Sequence, residues 1–161
     1  MSATHPIIAV TGSSGAGTTS VMRTFEQIFR REKVRAAFVE GDAFHRYDRA
    51  EMKEKMAEAL KRGDTTFSHF GPDANLLEEL EELFRTYGAR GRGKIRRYIH
   101  DDAEAARYGG KPGTFTPWEE LPEDTDLLFY EGLHGGVVTP KVNVAQHVDL
   151  LIGVVPVINE N

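Results

Sequence analysis

Along the chain, short apolar runs alternate with longer stretches of helical periodicity. The first run, Ile7-Ile8-Ala9-Val10, leads into a glycine-rich segment, Gly12–Gly17. Unbroken apolar runs of this length read as strands buried on both faces, as in parallel sheets. From Thr18 the spacing changes. Val21, Phe25, Ile28 and Phe29 fall at i, i+4, i+7 and i+8, the stripe of an amphipathic helix. A second run, Ala36–Val39, ends in Glu40-Gly41-Asp42, and a helix is expected over Arg46–Lys61, stopped by Gly63. Asp73–Leu76 is expected to open another helix, with Leu76, Leu77, Leu80, Leu83, Phe84 and Tyr87 on one face and Gly88 closing it. Between Gly88 and Pro122 glycine and proline loosen the pattern, which predicts loops around a short strand. Asp126–Tyr130 and Val148–Ile158 are further runs of buried-strand type. Strands alternating with helices predict an α/β fold with a mainly parallel sheet and helices on both faces.

Composition narrows the function classes. The chain has 161 residues, 40% hydrophobic and 28% charged, a globular composition with enough chain for one core. Its formal net charge of −5 gives no global pull toward nucleic acid or an anionic membrane, so neither partner is expected. There is no cysteine, which removes disulfides, thiolate metal sites and cysteine nucleophiles. The N-terminal segment lacks the cationic and apolar parts of a signal peptide, and no apolar stretch is long enough to span a bilayer. A cytoplasmic protein is the expectation.

The segment Gly12, Ser13, Ser14, Gly15, Ala16, Gly17, Thr18, Thr19, Ser20 follows a predicted strand and opens a predicted helix, the setting of a P-loop. Its glycines let backbone N–H groups turn inward, and the helix N-terminus adds partial positive charge facing phosphate. Thr19 stands where a hydroxyl ordinarily ligates Mg²⁺. The usual lysine position holds Thr18, so a basic residue from elsewhere is expected to compensate. The fold class is therefore a P-loop NTPase-like α/β sheet, and the 161 residues are expected to form one domain.

In such sheets ligands collect at the carboxyl ends of the strands. Two predicted strands end there in acids, Asp42 and Glu131, and the run Asp126–Glu131 has the Walker B form. Two carboxylates beside a phosphate site suit two tasks, holding Mg²⁺ and accepting a proton from an attacking hydroxyl. Asp is also a common turn and cap residue, and Glu131 alone would equally suit a solvated strand end. His45, Arg49 and Lys53 recur every fourth residue on the expected helix, on the side of Met52, Met56 and Leu60, where inward cations would grip an anionic substrate. A second cluster alternates Lys94, Arg96, Tyr98 and His100 with Ile95 and Ile99. A strand face carrying Arg96, Tyr98 and His100 reads as a small anion pocket rather than an RNA groove.

These residues resemble the bacterial phosphoribulokinases. The similarity is carried by Gly12–Ser20 without its lysine, Glu40–Arg46, Arg97–Asp101, Pro112–Trp118 and Tyr130–Gly135. The resemblance implies transfer of the ATP γ-phosphoryl group to the 1-hydroxyl of ribulose 5-phosphate, the Calvin-cycle step that precedes CO₂ fixation. It implies Asp42 as catalytic base, Glu131 as the acid serving Mg²⁺, and His45, Arg49, Tyr98 and His100 around the sugar phosphate, with Lys53 in the same region. It further implies a homo-oligomer activated by NADH and inhibited by AMP, in which a lysine later in the chain replaces the one missing from the loop. The family pattern continues past the strand Leu150–Ile158 into a basic segment, whereas this sequence stops at Asn161, so residues 1–161 are expected to be a single P-loop kinase domain incomplete at its C-terminal end. Weak catalysis by the 161 residues alone is the corresponding expectation. Related kinases of the uridine or pantothenate type, or a nucleotide-binding fragment without activity, are the alternatives.

Overall fold

A computed structural model describes residues 4–13 and 15–156. Strand β1 (Ile7–Gly12) runs into the glycine-rich loop and helix α1 (Thr18–Glu32). Strand β2 (Ala36–Glu40), a 3₁₀ turn (Gly41–Phe44) and helix α2 (Arg49–Lys61) follow. A second 3₁₀ turn (Pro72–Ala74) precedes helix α3 (Leu77–Arg90). The short pieces β3 (Lys94–Ile95), α4 (Asp102–Tyr108) and β4 (Glu119–Glu120) lead to β5 (Leu127–Gly132), a 3₁₀ turn (Val144–His147) and β6 (Leu150–Val154).

The main sheet has the order β2-β5-β1-β6 with every pair parallel. Side chains alternate between its faces, and the two faces carry separate cores. Val10 and Phe129 pack with Phe25 and Phe29 of α1, while Ile7, Ala9, Val39, Leu128 and Tyr130 pack with Leu80, Leu83, Phe84 and Tyr87 of α3. The Phe84 and Tyr130 rings meet edge to face at 5.5 Å. Each fully buried Leu or Phe contributes about 1.5–3 kcal/mol, so helices on both faces hold the strands in place. The expected mainly parallel α/β sheet is therefore present. Among the described residues no helix is long and apolar enough to cross a membrane.

Several local expectations are corrected. Helix α2 starts at Arg49, because Asp48 and Glu51 form a reciprocal capping box. His45 and Arg46 precede it, so His45, Arg49 and Lys53 do not share one helical column. The buried residues of α2 are Met52 and Ala59; Met56 and Leu60 are 43% and 76% exposed. Residues 73–76 do not open α3: Pro72 starts a 3₁₀ turn, Asn75 is extended, and the helix begins at Leu77. Gly88 lies inside α3, which closes instead at Gly91 in the left-handed region (φ 65°). The predicted strand through His100 is regular only at Lys94–Ile95, because its partner β4 has two residues, although Ile95 and Ile99 do point inward. Among the described residues strand β6 pairs with β1 alone, and Leu150 and Leu151 are about half exposed. The run's last two residues, 157 and 158, lie outside the described residues.

Candidate active site

The carboxyl ends of β1, β2 and β5 open into one cleft of about 670 Å³. The loop after β1 forms its first wall. Gly17 adopts φ 95° immediately before α1, a conformation that side chains rarely tolerate. Ala16 N donates to Ser13 O at 3.0 Å, which tightens the turn. Gly12, Ser13, Gly15, Thr18 and Thr19 line the cleft, whereas Ala16, Gly17 and Ser20 do not. Ser14 lies outside the described residues. Arg23, one turn further along α1, is the one Lys or Arg among the described lining residues.

Across from the loop, β2 delivers Glu40 and then Asp42 on its 3₁₀ turn. This turn can approach β5 closely because Gly41 carries no side chain: a Cβ there would lie 2.5 Å from Tyr130 Oη. Asp42 is held from both sides. His45 Nε2 lies 3.3 Å from Oδ1, and His100 Nε2 lies 3.0 Å from Oδ2. The hydrogen bond from His45 is the largest cause, with His100 adding to it against the cost of burial, and together they hold the carboxyl well below the usual carboxylate range. Both ring nitrogens of His100 face acids, because its Nδ1 lies 3.0 Å from Glu104 Oε2. Burial alone would pull His100 down; its bonds to Asp42 and Glu104 outweigh that and raise it. Glu40 pairs in register with Glu131 on β5, and burial pushes its carboxyl up despite His100 and Arg97 nearby.

Two residues behind this wall fix its shape. Arg96 donates from Nε to Ala43 O at 2.8 Å and from Nη2 to His45 O at 2.6 Å, with its guanidinium 3.6 Å from the Phe115 ring and 4.8 Å from that of Trp118. Its fork is thus spent on the backbone that carries Asp42 and His45, which corrects the expectation that Arg96 faces an anion pocket. Asn75, 1% exposed, reaches His45 Nδ1 with Oδ1 at 2.8 Å. Its Nδ2 donates to His69 O and Gly71 O at 3.1 and 2.8 Å.

Of the other sequence candidates, His45, Tyr98, His100 and Glu131 line the cleft. Arg49 stands just behind it, donating to His100 O at 3.0 Å and lying 5.9 Å from the Tyr98 ring. Lys53 is exposed on α2 and is not among the lining residues. Glu40, Glu104, His69 and His134 also line the cleft and were not singled out from the sequence. A position beside a strand-end acid could have flagged Glu40. The histidines carried no local signal, since His69 and His134 arrive from loops far apart in sequence. A hydroxyl at Thr19 and a carboxylate at Glu131 are hard oxygen donors on the same cleft, a set that suits Mg²⁺ shared with phosphate oxygens.

Strand, phosphate loop and helix, with acids at the ends of neighbouring parallel strands, define an α/β protein of the P-loop class. More narrowly, the chain belongs to the Phosphoribulokinase / Uridine kinase family, whose model matches residues 7–160. It is 69% identical over 159 residues to the chromosomal phosphoribulokinase of Cupriavidus necator, covering 99% of this chain and 54% of that protein. With the phosphoribulokinase of Nitrobacter vulgaris it shares 68% identity over 155 residues, 96% of this chain and 53% of the relative. The solved phosphoribulokinase from Rhodobacter spheroides superposes with a TM-score of 0.86 at 55% identity, over 96% of this chain and 52% of that one. The chain thus spans about half the length of the curated relatives it matches.

Proposed function

We propose that the protein is a phosphoribulokinase, transferring the γ-phosphoryl group of ATP to the 1-hydroxyl of ribulose 5-phosphate in the Calvin cycle. The observation that carries this reading is Asp42, set between His45 and His100 in the same cleft as the phosphate loop. The acceptor oxygen attacks the γ-phosphorus, the bond to the bridging oxygen of ADP breaks, and the hydroxyl proton passes to Asp42. A carboxylate kept ionised by two imidazoles is in the correct form to receive it. In a loose phosphoryl-transfer transition state the proton moves late, so position counts for more than base strength. Backbone N–H groups of Gly12–Ser20 cradle the ATP phosphates. Mg²⁺, held by Thr19 and Glu131, supplies charge neutralisation on those phosphates when bound.

The sugar phosphate is held by His45, Tyr98 and His100, with Arg49 and Lys53 contributing charge at the rim. The 161 residues act as one P-loop kinase domain of a cytoplasmic homo-oligomer, with NADH as activator. High identity to phosphoribulokinases and the cluster of imidazoles around the acceptor side support this over a uridine-kinase-like acceptor, which carries no phosphate. An ADP-release assay compares ribulose 5-phosphate with ribulose. Turnover is expected only with the phosphorylated sugar; equal rates with both, or none with either, would refute the proposal.

A further inference from the structure

We infer that Asn75 is a positioning residue that fixes the ring tautomer of His45 and thereby decides what His45 can bind in the cleft. The orientation of its amide is set by chemistry. Nδ2 lies within hydrogen-bond distance of two carbonyl oxygens, those of His69 and Gly71. A flipped amide would point its own oxygen at both, so the NH₂ must face them and Oδ1 must face the His45 ring. Oδ1 can only accept, which makes His45 Nδ1 the donor at 2.8 Å. The backbone reinforces this alignment. Arg46 N donates to Ala74 O and Leu76 N donates to Phe44 O, strapping the two segments side by side with His45 opposite Asn75.

The consequence lies at the other nitrogen. With its proton committed at Nδ1, a neutral His45 presents a lone pair at Nε2, toward Asp42 Oδ1. It can donate from Nε2 only when doubly protonated. His45 therefore meets an acid group, Asp42 or the phosphate of the acceptor, only as a cation, never as a neutral donor. An unconstrained histidine side chain favours the opposite tautomer, so without Asn75 a neutral ring would donate from Nε2 and lose that selectivity. The amide also ties His69 and Phe70 to the same node, since its Nδ2 bonds hold the 69–71 loop that lines the cleft. Asn75 is fully satisfied by these three bonds, and no contact with substrate is required of it.

This inference rests on the proposed acceptor site, but its first test does not need catalysis. Two-bond ¹⁵N–¹H spectra of the intact protein, recorded where the ring is neutral, read the tautomer of His45, its signals assigned by their loss in His45→Gln. The wild type is expected to show Nδ1–H, and the other tautomer there would overturn the inference without any further variant. Asn75→Leu, which removes the acceptor at Nδ1, should switch the ring to Nε2–H. A purely structural role would leave the tautomer unmoved in this variant. In turnover, Asn75→Leu, which also releases the 69–71 loop, should raise KM for ribulose 5-phosphate about tenfold with KM for ATP within twofold. An unchanged acceptor KM alongside a switched tautomer would overturn the binding consequence. A wild type showing Nδ1–H but no turnover of the sugar phosphate would count against the proposed function and support the tautomer assignment.

Discussion

Replacing Arg96 with methionine tests how the acid turn is held. The change removes two hydrogen bonds from a charged donor, to Ala43 O and His45 O, each worth about 1.5–3 kcal/mol. It also removes the guanidinium from the faces of Phe115 and Trp118, about 0.5–1 kcal/mol more. Against this, burial disfavours the charge on Arg96, so its removal returns on the order of 1 kcal/mol, and methionine keeps part of the stacking. The net expectation is a loss of about 2–6 kcal/mol. With a urea m-value of about 2 kcal/mol/M, the unfolding midpoint should fall by about 1–3 M. Arg96→Lys keeps the charge without the planar fork and should lose roughly half as much. Turnover should fall at least about tenfold in Arg96→Met, because the turn carrying Asp42 and His45 loses its clamp. A midpoint within about 0.3 M of wild type, with turnover preserved, would refute the reasoning.

Two further predictions concern the acid itself. Asp42→Asn should lower kcat by about three to four orders of magnitude, about 4–5 kcal/mol, with ATP binding retained in a titration; near-normal turnover would end the base assignment. His100 should titrate above ordinary histidine, so the stability from its bonds to Asp42 and Glu104 is full below the ordinary value and lost as pH rises through the raised one. Glu104→Gln should bring that titration back down, and an NMR pH titration showing no downward movement would count against the pairing.

Much of the fold was legible because it depends on local pattern. The runs at 7–10, 36–39 and 127–130 are strands, each four apolar residues in a row that suit burial between two helical layers. The strand ends gave the phosphate loop, Asp42 and Glu131 for the same reason. The run near the C-terminus is likewise a strand, at Leu150–Val154. The start of α2 is legible in Asp48 and Glu51, which spell a capping box that places the helix at Arg49 and excludes His45 from it. The fates of Arg96 and Asn75 could not be read at all. Arg96 reaches carbonyls about fifty residues away, and Asn75 reaches a histidine thirty residues away. Nothing in the neighbouring sequence of either residue encodes those partners.

The strand order has a bearing on how the protein comes into being. β1, carrying the phosphate loop, and β2, leading to Asp42, are both complete by residue 42, yet they are not neighbours, because β5 lies between them. During synthesis the two halves of the site leave the ribosome early with a vacant lane between their strands, and they cannot reach their final spacing until residues 127–132 arrive to fill it. Until that insertion neither strand has its partner, and ATP would find only a loop with no opposing wall. Nucleotide could therefore stabilise the chain only from the moment β5 enters, so protection by ligand should begin with the strand that carries Glu131.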